Sequence, residues 1–155
     1  MHEIQPGFII EIELTDGRFG YGCKFDGVII GIYKIINSKK LQISDIILNQ
    51  IAVYISINNS YLKNRPFTII GKINLVGDEV YPPDLAWYAE WLPEDSVRRR
   101  CIRNKQGKTE YTNKEYYISL VKKGLIIYVF NKPENLLLWL IENLNNWPNY
   151  AMPLE

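Results

Sequence analysis

Hydrophobic and polar positions alternate with a period of two along the first third of the chain. Phe8, Ile10, Ile12 and Leu14 fall on one side of an extended segment, and Glu11 and Glu13 fall on the other. Successive side chains of a strand point to opposite faces, so this pattern predicts a strand with an inward face and a solvated one. Asp16-Gly17 then supplies a tight turn, because glycine accepts a positive φ at no steric cost. Phe19, Tyr21, Cys23 and Phe25 share the next inward face, with Arg18, Gly20, Gly22 and Lys24 opposite. Asp26-Gly27 makes a second turn. Val28 to Ile36 is apolar on both faces, the pattern of a buried central strand. Three strands joined by two Asp-Gly turns predict an antiparallel meander. Gly20 and Gly22, two residues apart on one face, predict strong coiling or a close backbone approach.

The pattern continues more loosely. Asn37 to Lys40 breaks it and reads as a loop. Ile51, Val53, Ile55 and Ile57 alternate with Ala52, Tyr54 and Ser56, giving another strand that Asn58-Asn59-Ser60 ends. Phe67 to Leu75 predicts a further strand, with Gly71 marking a bulge. Val76 to Pro83 is a loop. Leu85 to Leu92 fits a strand or a short helix. Arg98 to Thr112 fits a hairpin turning at Asn104-Lys105-Gln106-Gly107. Asn113 to Lys123 predicts a short helix ended by Gly124, and Leu125 to Phe130 a strand. Asn131-Lys132-Pro133-Glu134 opens a last helix, with Asn131 as cap and Pro133 in the first turn. Leu137, Leu140, Ile141 and Leu144 follow helical spacing there, and Leu136 and Leu138 widen the stripe. The fold expected is mainly β within the α+β class. It is a curved antiparallel sheet, open or closing toward a partial barrel, with the C-terminal helix packed on it.

Composition agrees with a single folded domain over residues 1–155. Hydrophobic residues make up 47% of the 155 positions, enough apolar surface to offset the entropy of ordering the chain. The net charge of +1 lacks the basic excess of a dedicated nucleic-acid binder. The N-terminus, Met1-His2-Glu3-Ile4-Gln5-Pro6-Gly7, has no basic region followed by an apolar one, so no secretory signal is read. Uncharged stretches fall short of the ~20 residues of a membrane span. Cys23 and Cys101 stand far apart and suggest a reducing compartment, hence a cytoplasmic protein.

Candidate chemistry is sparse. His2 is the single histidine, and a terminal residue is poorly placed for fixed catalytic geometry. With Cys23 and Cys101 it does not make a four-ligand metal site. Cys23 reads as a small buried hydrophobe. Gly20-Tyr21-Gly22 is too short for a dinucleotide fingerprint. Glu11 and Glu13 share a strand face and are the one pair of acids that could do hydrolytic work, although alternating glutamates opposite an apolar face describe a solvated strand equally well. The expectation is a binding protein, without catalysis and without a cofactor.

Charge is organised in two blocks. Between Lys72 and Arg98 the chain carries Asp78, Glu79, Asp84, Glu90, Glu94 and Asp95 and no basic residue, a formal charge of −6. Tyr81, Trp87, Tyr88 and Trp91 lie among these acids. Aromatic side chains bury large area at low entropic cost and are frequent in binding hot spots. Arg98, Arg99, Arg100, Arg103, Lys105 and Lys108 follow, with no acid between them, a formal charge of +6. Three readings follow. The blocks pair with each other across a hairpin, with Trp87 and Trp91 in the core. The acidic-aromatic block (Asp78, Glu79, Tyr81, Asp84, Trp87, Tyr88, Glu90 and Trp91) contacts a basic partner. Or the basic strip binds the backbone of a nucleic acid.

The segments Pro6-Gly7-Phe8-Ile9-Ile10-Glu11-Ile12-Glu13-Leu14, Asp16-Gly17-Arg18-Phe19-Gly20-Tyr21-Gly22 and Asp26-Gly27-Val28-Ile29-Ile30-Gly31-Ile32-Tyr33, with Pro66 to Leu75, resemble immunity protein family 26 of bacterial polymorphic toxin systems. The resemblance covers roughly the first half of the chain. It implies a cytosolic antidote that binds a cognate toxin domain and blocks it, and it carries over no catalytic or metal-binding residue.

Overall fold

The meander forms where the alternation places it. In this computed structural model, which describes residues 4–88, 100–111 and 113–147, β1 (Phe8–Glu13), β2 (Phe19–Lys24) and β3 (Ile29–Asn37) pair antiparallel in sequence order. Both turns place glycine at positive φ, Gly17 at 85° and Gly27 at 73°. β4 (Ile51–Ser56) joins β3, and β5 (Phe67–Lys72) crosses back to the far side of β1. Ile9 stands opposite Gly71 and Ile10 opposite Ile69, which leaves Ile70 unmatched. The bulge therefore lies where Gly71 predicts it.

The remaining strands are β6 (Leu85–Tyr88), β7 (Arg100–Arg103), β8 (Thr109–Glu110) and β9 (Ile127–Val129). The ambiguous Leu85–Leu92 segment is thus a strand as far as Tyr88, and its last residues lie outside those described. β6, β7 and β8 form a three-stranded antiparallel sheet, while β9 completes a six-stranded sheet of order β5-β1-β2-β3-β4-β9. Two expectations are corrected here. β9 runs parallel to β4, so the large sheet is mixed: after β4 the chain adds β5 at the opposite edge, builds the small sheet and returns beside β4 in the same direction. Nor does the sheet close into a barrel, since β5 and β9 end its strand order. The sheets touch through a parallel bridge between Ala86 and Ile126, with Ala86 N–H donating to Leu125 O at 2.9 Å.

Both faces of the large sheet are covered. On one, Ile10, Ile12, Ile30, Ile32, Val53 and Ile55 pack beneath helices α2 (Lys114–Lys122) and α3 (Pro133–Asn143). Asn113 caps α2 by accepting from Tyr116 N–H, and Gly124 follows its end at φ 75°. α3 buries Leu136, Leu137 and Leu140, and Leu144 just beyond it, each worth roughly 1.5–3 kcal/mol relative to exposure. Leu138 is instead exposed on the far side, and the cap of α3 is Lys132, extended and without a side-chain bond, rather than Asn131. On the other face Ile9, Tyr21, Cys23, Phe25, Ile29 and Tyr33 form a second core. The segment after β3 covers it, with Ile46 of the four-residue helix α1 (Ile43–Ile46) fully buried.

This second core overturns the solvated face expected of β1. Glu11 is buried, accepts from Tyr21 Oη–H at 3.2 Å and lies 3.7 Å from Lys40 Nζ. Tyr21 Oη in turn accepts from Leu41 N–H at 2.8 Å. Glu13 remains at the surface, 3.8 Å from Arg65. Lys24 is buried as well, and its ammonium donates to the carbonyls of Phe25 and Gly27 and so braces the Asp26-Gly27 turn.

Candidate interaction surface

The acidic and basic blocks meet because their strands pair. Leu85 stands opposite Arg103, Trp87 opposite Cys101 and Tyr88 opposite Arg100. The loop leading into β6 is thereby held against the turn between β7 and β8. Asp84 fixes this contact: its Oδ1 accepts from Lys105 N–H at 2.8 Å, and its Oδ2 from the phenol of Tyr116 on α2 at 2.7 Å. The bond to Asp84, chiefly, holds the Tyr116 phenol above its ordinary pKa, because ionisation would set two negative charges side by side.

Between this loop, the β7–β8 turn and α2 runs a groove of about 470 Å³. Pro83, Leu120 and Leu125 give it apolar surface, while Asp78, Tyr81, Lys105 and Lys123 supply its polar edges. Asp78 belongs to a 3-10 turn, Gly77–Val80, which Glu79 closes by accepting from Val76 N–H at 3.2 Å. The Asp78 side chain is 84% exposed and lies 3.6 Å from Lys105 Nζ. Tyr81 is 40% exposed.

The structure gathers Asp78, Tyr81 and Asp84 on one groove and places Glu79 in the turn beside them. Trp87 is half-buried against the second core. Glu90, Trp91, Arg98, Arg99 and the side chain of Tyr88 lie outside the described residues. The basic strip is drawn into the fold at two of its positions. Arg103 Nη2 sits 3.7 Å from where a Cβ on Gly27 would stand and 3.4 Å from one on Gly107, so its guanidinium lies between two turns. Burial lowers the pKa of Arg103, opposed by the charge of Asp26. Lys105 faces Asp78, while Lys108 is exposed beyond the turn. Arg100 is half-buried.

Tyr116 and Lys123 line the groove and do not emerge from the sequence as candidates. Tyr116 lies on α2, 32 residues downstream of Asp84, and Lys123 caps its end; the signal available, an Asn113 cap before a short amphipathic run, locates the helix but not what it faces. Among the described residues no helix is long and apolar enough to cross a membrane. No family model, curated protein or solved structure matches the chain.

Proposed function

We propose that this chain is an immunity-type protein of the bacterial cytoplasm that binds a cognate toxin domain and neutralises it by contact, without catalysing a reaction. The observation that carries this reading is the pairing of an exposed carboxylate, Asp78, with an exposed ring, Tyr81, on one groove whose frame is pinned by the Asp84–Tyr116 bond. A charge and an aromatic ring held on a fixed support lose little entropy on docking, and charge complementarity raises the rate of capture. The resemblance of the β1–β3 region to immunity protein family 26 supports the same reading. The nucleic-acid alternative gains less support, because Arg103 lies between two turns, which leaves less of the strip for a phosphate backbone.

The test is to look beside this gene for a large secreted protein with a variable C-terminal domain and to co-express that domain with this chain, with growth and complex formation as readouts. Rescue of growth and a stoichiometric complex in size-exclusion chromatography with light scattering are expected. Persistent growth arrest with no complex at micromolar concentrations would overturn the proposal.

A further inference from the structure

The groove sets an exposed carboxylate and an exposed ring on one edge, with Lys105 and Lys123 also lining it. Asp78 and Tyr81 line it together. The carboxylate is 84% exposed, and its one ion pair among the described residues is with Lys105 Nζ at 3.6 Å, beyond ordinary hydrogen-bond distance. Such exposed, loosely held pairs contribute little and exchange readily. A guanidinium suits the site better than an ammonium: it pairs with a carboxylate through two parallel N–H donors and stacks on an aromatic face at the same time. Asp84 competes for it less, since each of its oxygens already accepts one hydrogen bond and keeps only part of its acceptor capacity.

We propose that the partner docks by inserting an arginine side chain between Asp78 and Tyr81, displacing Lys105 from Asp78. This inference rests on the toxin-binding reading for the identity of the partner, but not for the chemistry of the site. Lys105 is here a resident competitor, and that gives the proposal a sign. Removing Lys105 strengthens arginine binding, whereas removing the charge of Asp78 weakens it.

The probe is a synthetic pentapeptide, acetyl-Gly-Gly-Arg-Gly-Gly-amide, compared with its lysine counterpart by amide NMR titration of the full chain. The arginine peptide is expected to shift the amides of Asp78, Tyr81, Lys105 and Gln106 and to bind more tightly than the lysine peptide. Asp78→Asn should weaken it by about fivefold and Lys105→Met should tighten it by about twofold, the scale of one exposed ion pair. Equal affinity for the two peptides, shifts elsewhere on the surface, or weaker binding by Lys105→Met overturns the proposal. So does inorganic phosphate shifting Lys105 and Lys123 while the arginine peptide shifts nothing. Neutralisation of the toxin undisturbed by Asp78→Asn and Tyr81→Leu would sink this inference and leave the immunity reading intact. Peptide binding as described, with no toxin neutralised, would do the reverse.

Discussion

Tyr116 donates its phenolic hydrogen to Asp84 Oδ2 at 2.7 Å across 32 residues of chain. This bond ties α2 to the loop that enters the small sheet, and the second oxygen of Asp84 holds the β7–β8 turn through Lys105 N–H. One carboxylate thus joins three elements that no local pattern brings together. Removing a hydrogen bond to a charged group costs about 1.5–3 kcal/mol. Tyr116→Phe should therefore lower the urea unfolding free energy by up to that amount. Asp84→Asn should also return the Tyr116 phenol toward its ordinary pKa, visible in an ultraviolet titration. Additive losses in the double variant would show that the two residues do not act together.

Stability should fall at alkaline pH. Burial pushes the thiols of Cys23 and Cys101 up to about 11 from 9.0 and the phenol of Tyr54 to about 12 from 10.0, and it raises Tyr21 and Tyr33 as well. A group that holds its proton more tightly when folded lends stability that is complete below its unfolded pKa and is lost as pH climbs through the folded one. The loss should begin near pH 9 with the cysteines and continue to about pH 12 with Tyr54. Lys24 works the other way, since burial lowers its pKa and relief comes as pH rises. Urea midpoints taken from pH 7.5 to 11 check the balance, and a midpoint that stays flat contradicts it.

Gly20 and Gly22 should respond differently to the same methyl group. A Cβ on Gly22 would stand 2.6 Å from Ile30 Cγ2, whereas one on Gly20 meets nothing closer than Leu140 Cδ1 at 3.9 Å. Gly22→Ala forces the packed Ile30 to move, at a cost of about 1–3 kcal/mol. Gly20→Ala is expected to be neutral or to stabilise by up to ~1 kcal/mol, through a less flexible unfolded chain. Thermal melts of the two variants decide the matter.

Glu11 is a strut rather than a catalytic base in this reading. Its contacts run to Tyr21 and Lys40, which hold the segment after β3 onto the sheet. Glu11→Gln keeps an acceptor for Tyr21 and gives up one long ion pair, so a stability change below about 1 kcal/mol is expected. Glu11→Leu leaves the buried phenol of Tyr21 without its acceptor, at about 1–3 kcal/mol. Toxin neutralisation should survive Glu11→Gln. Its loss in a stably folded variant would reopen the question of chemistry at this position.

Elements governed by a strong local rule are legible in the residues alone. Asp-Gly at 16–17 and 26–27 set the meander, because only turn geometry and a period of two are needed to define it. Asn113 and Gly124 bounded α2 for the same reason. Which faces are buried and which charges meet depends instead on how distant segments pack. Alternation along β1 marks Glu11 as solvated, and only the segment folding over the second core removes it from water. No pattern within the Leu125–Phe130 strand reveals that β9 lies parallel to β4, since direction is set by the path of the chain between them. The two charge blocks were legible as blocks, yet Asp84 joins them by accepting from Lys105 N–H across 21 residues. Local sequence fixes backbone conformation through short-range sterics and hydrogen bonds, whereas the groove exists only once distant segments have been brought together by burying the cores they share.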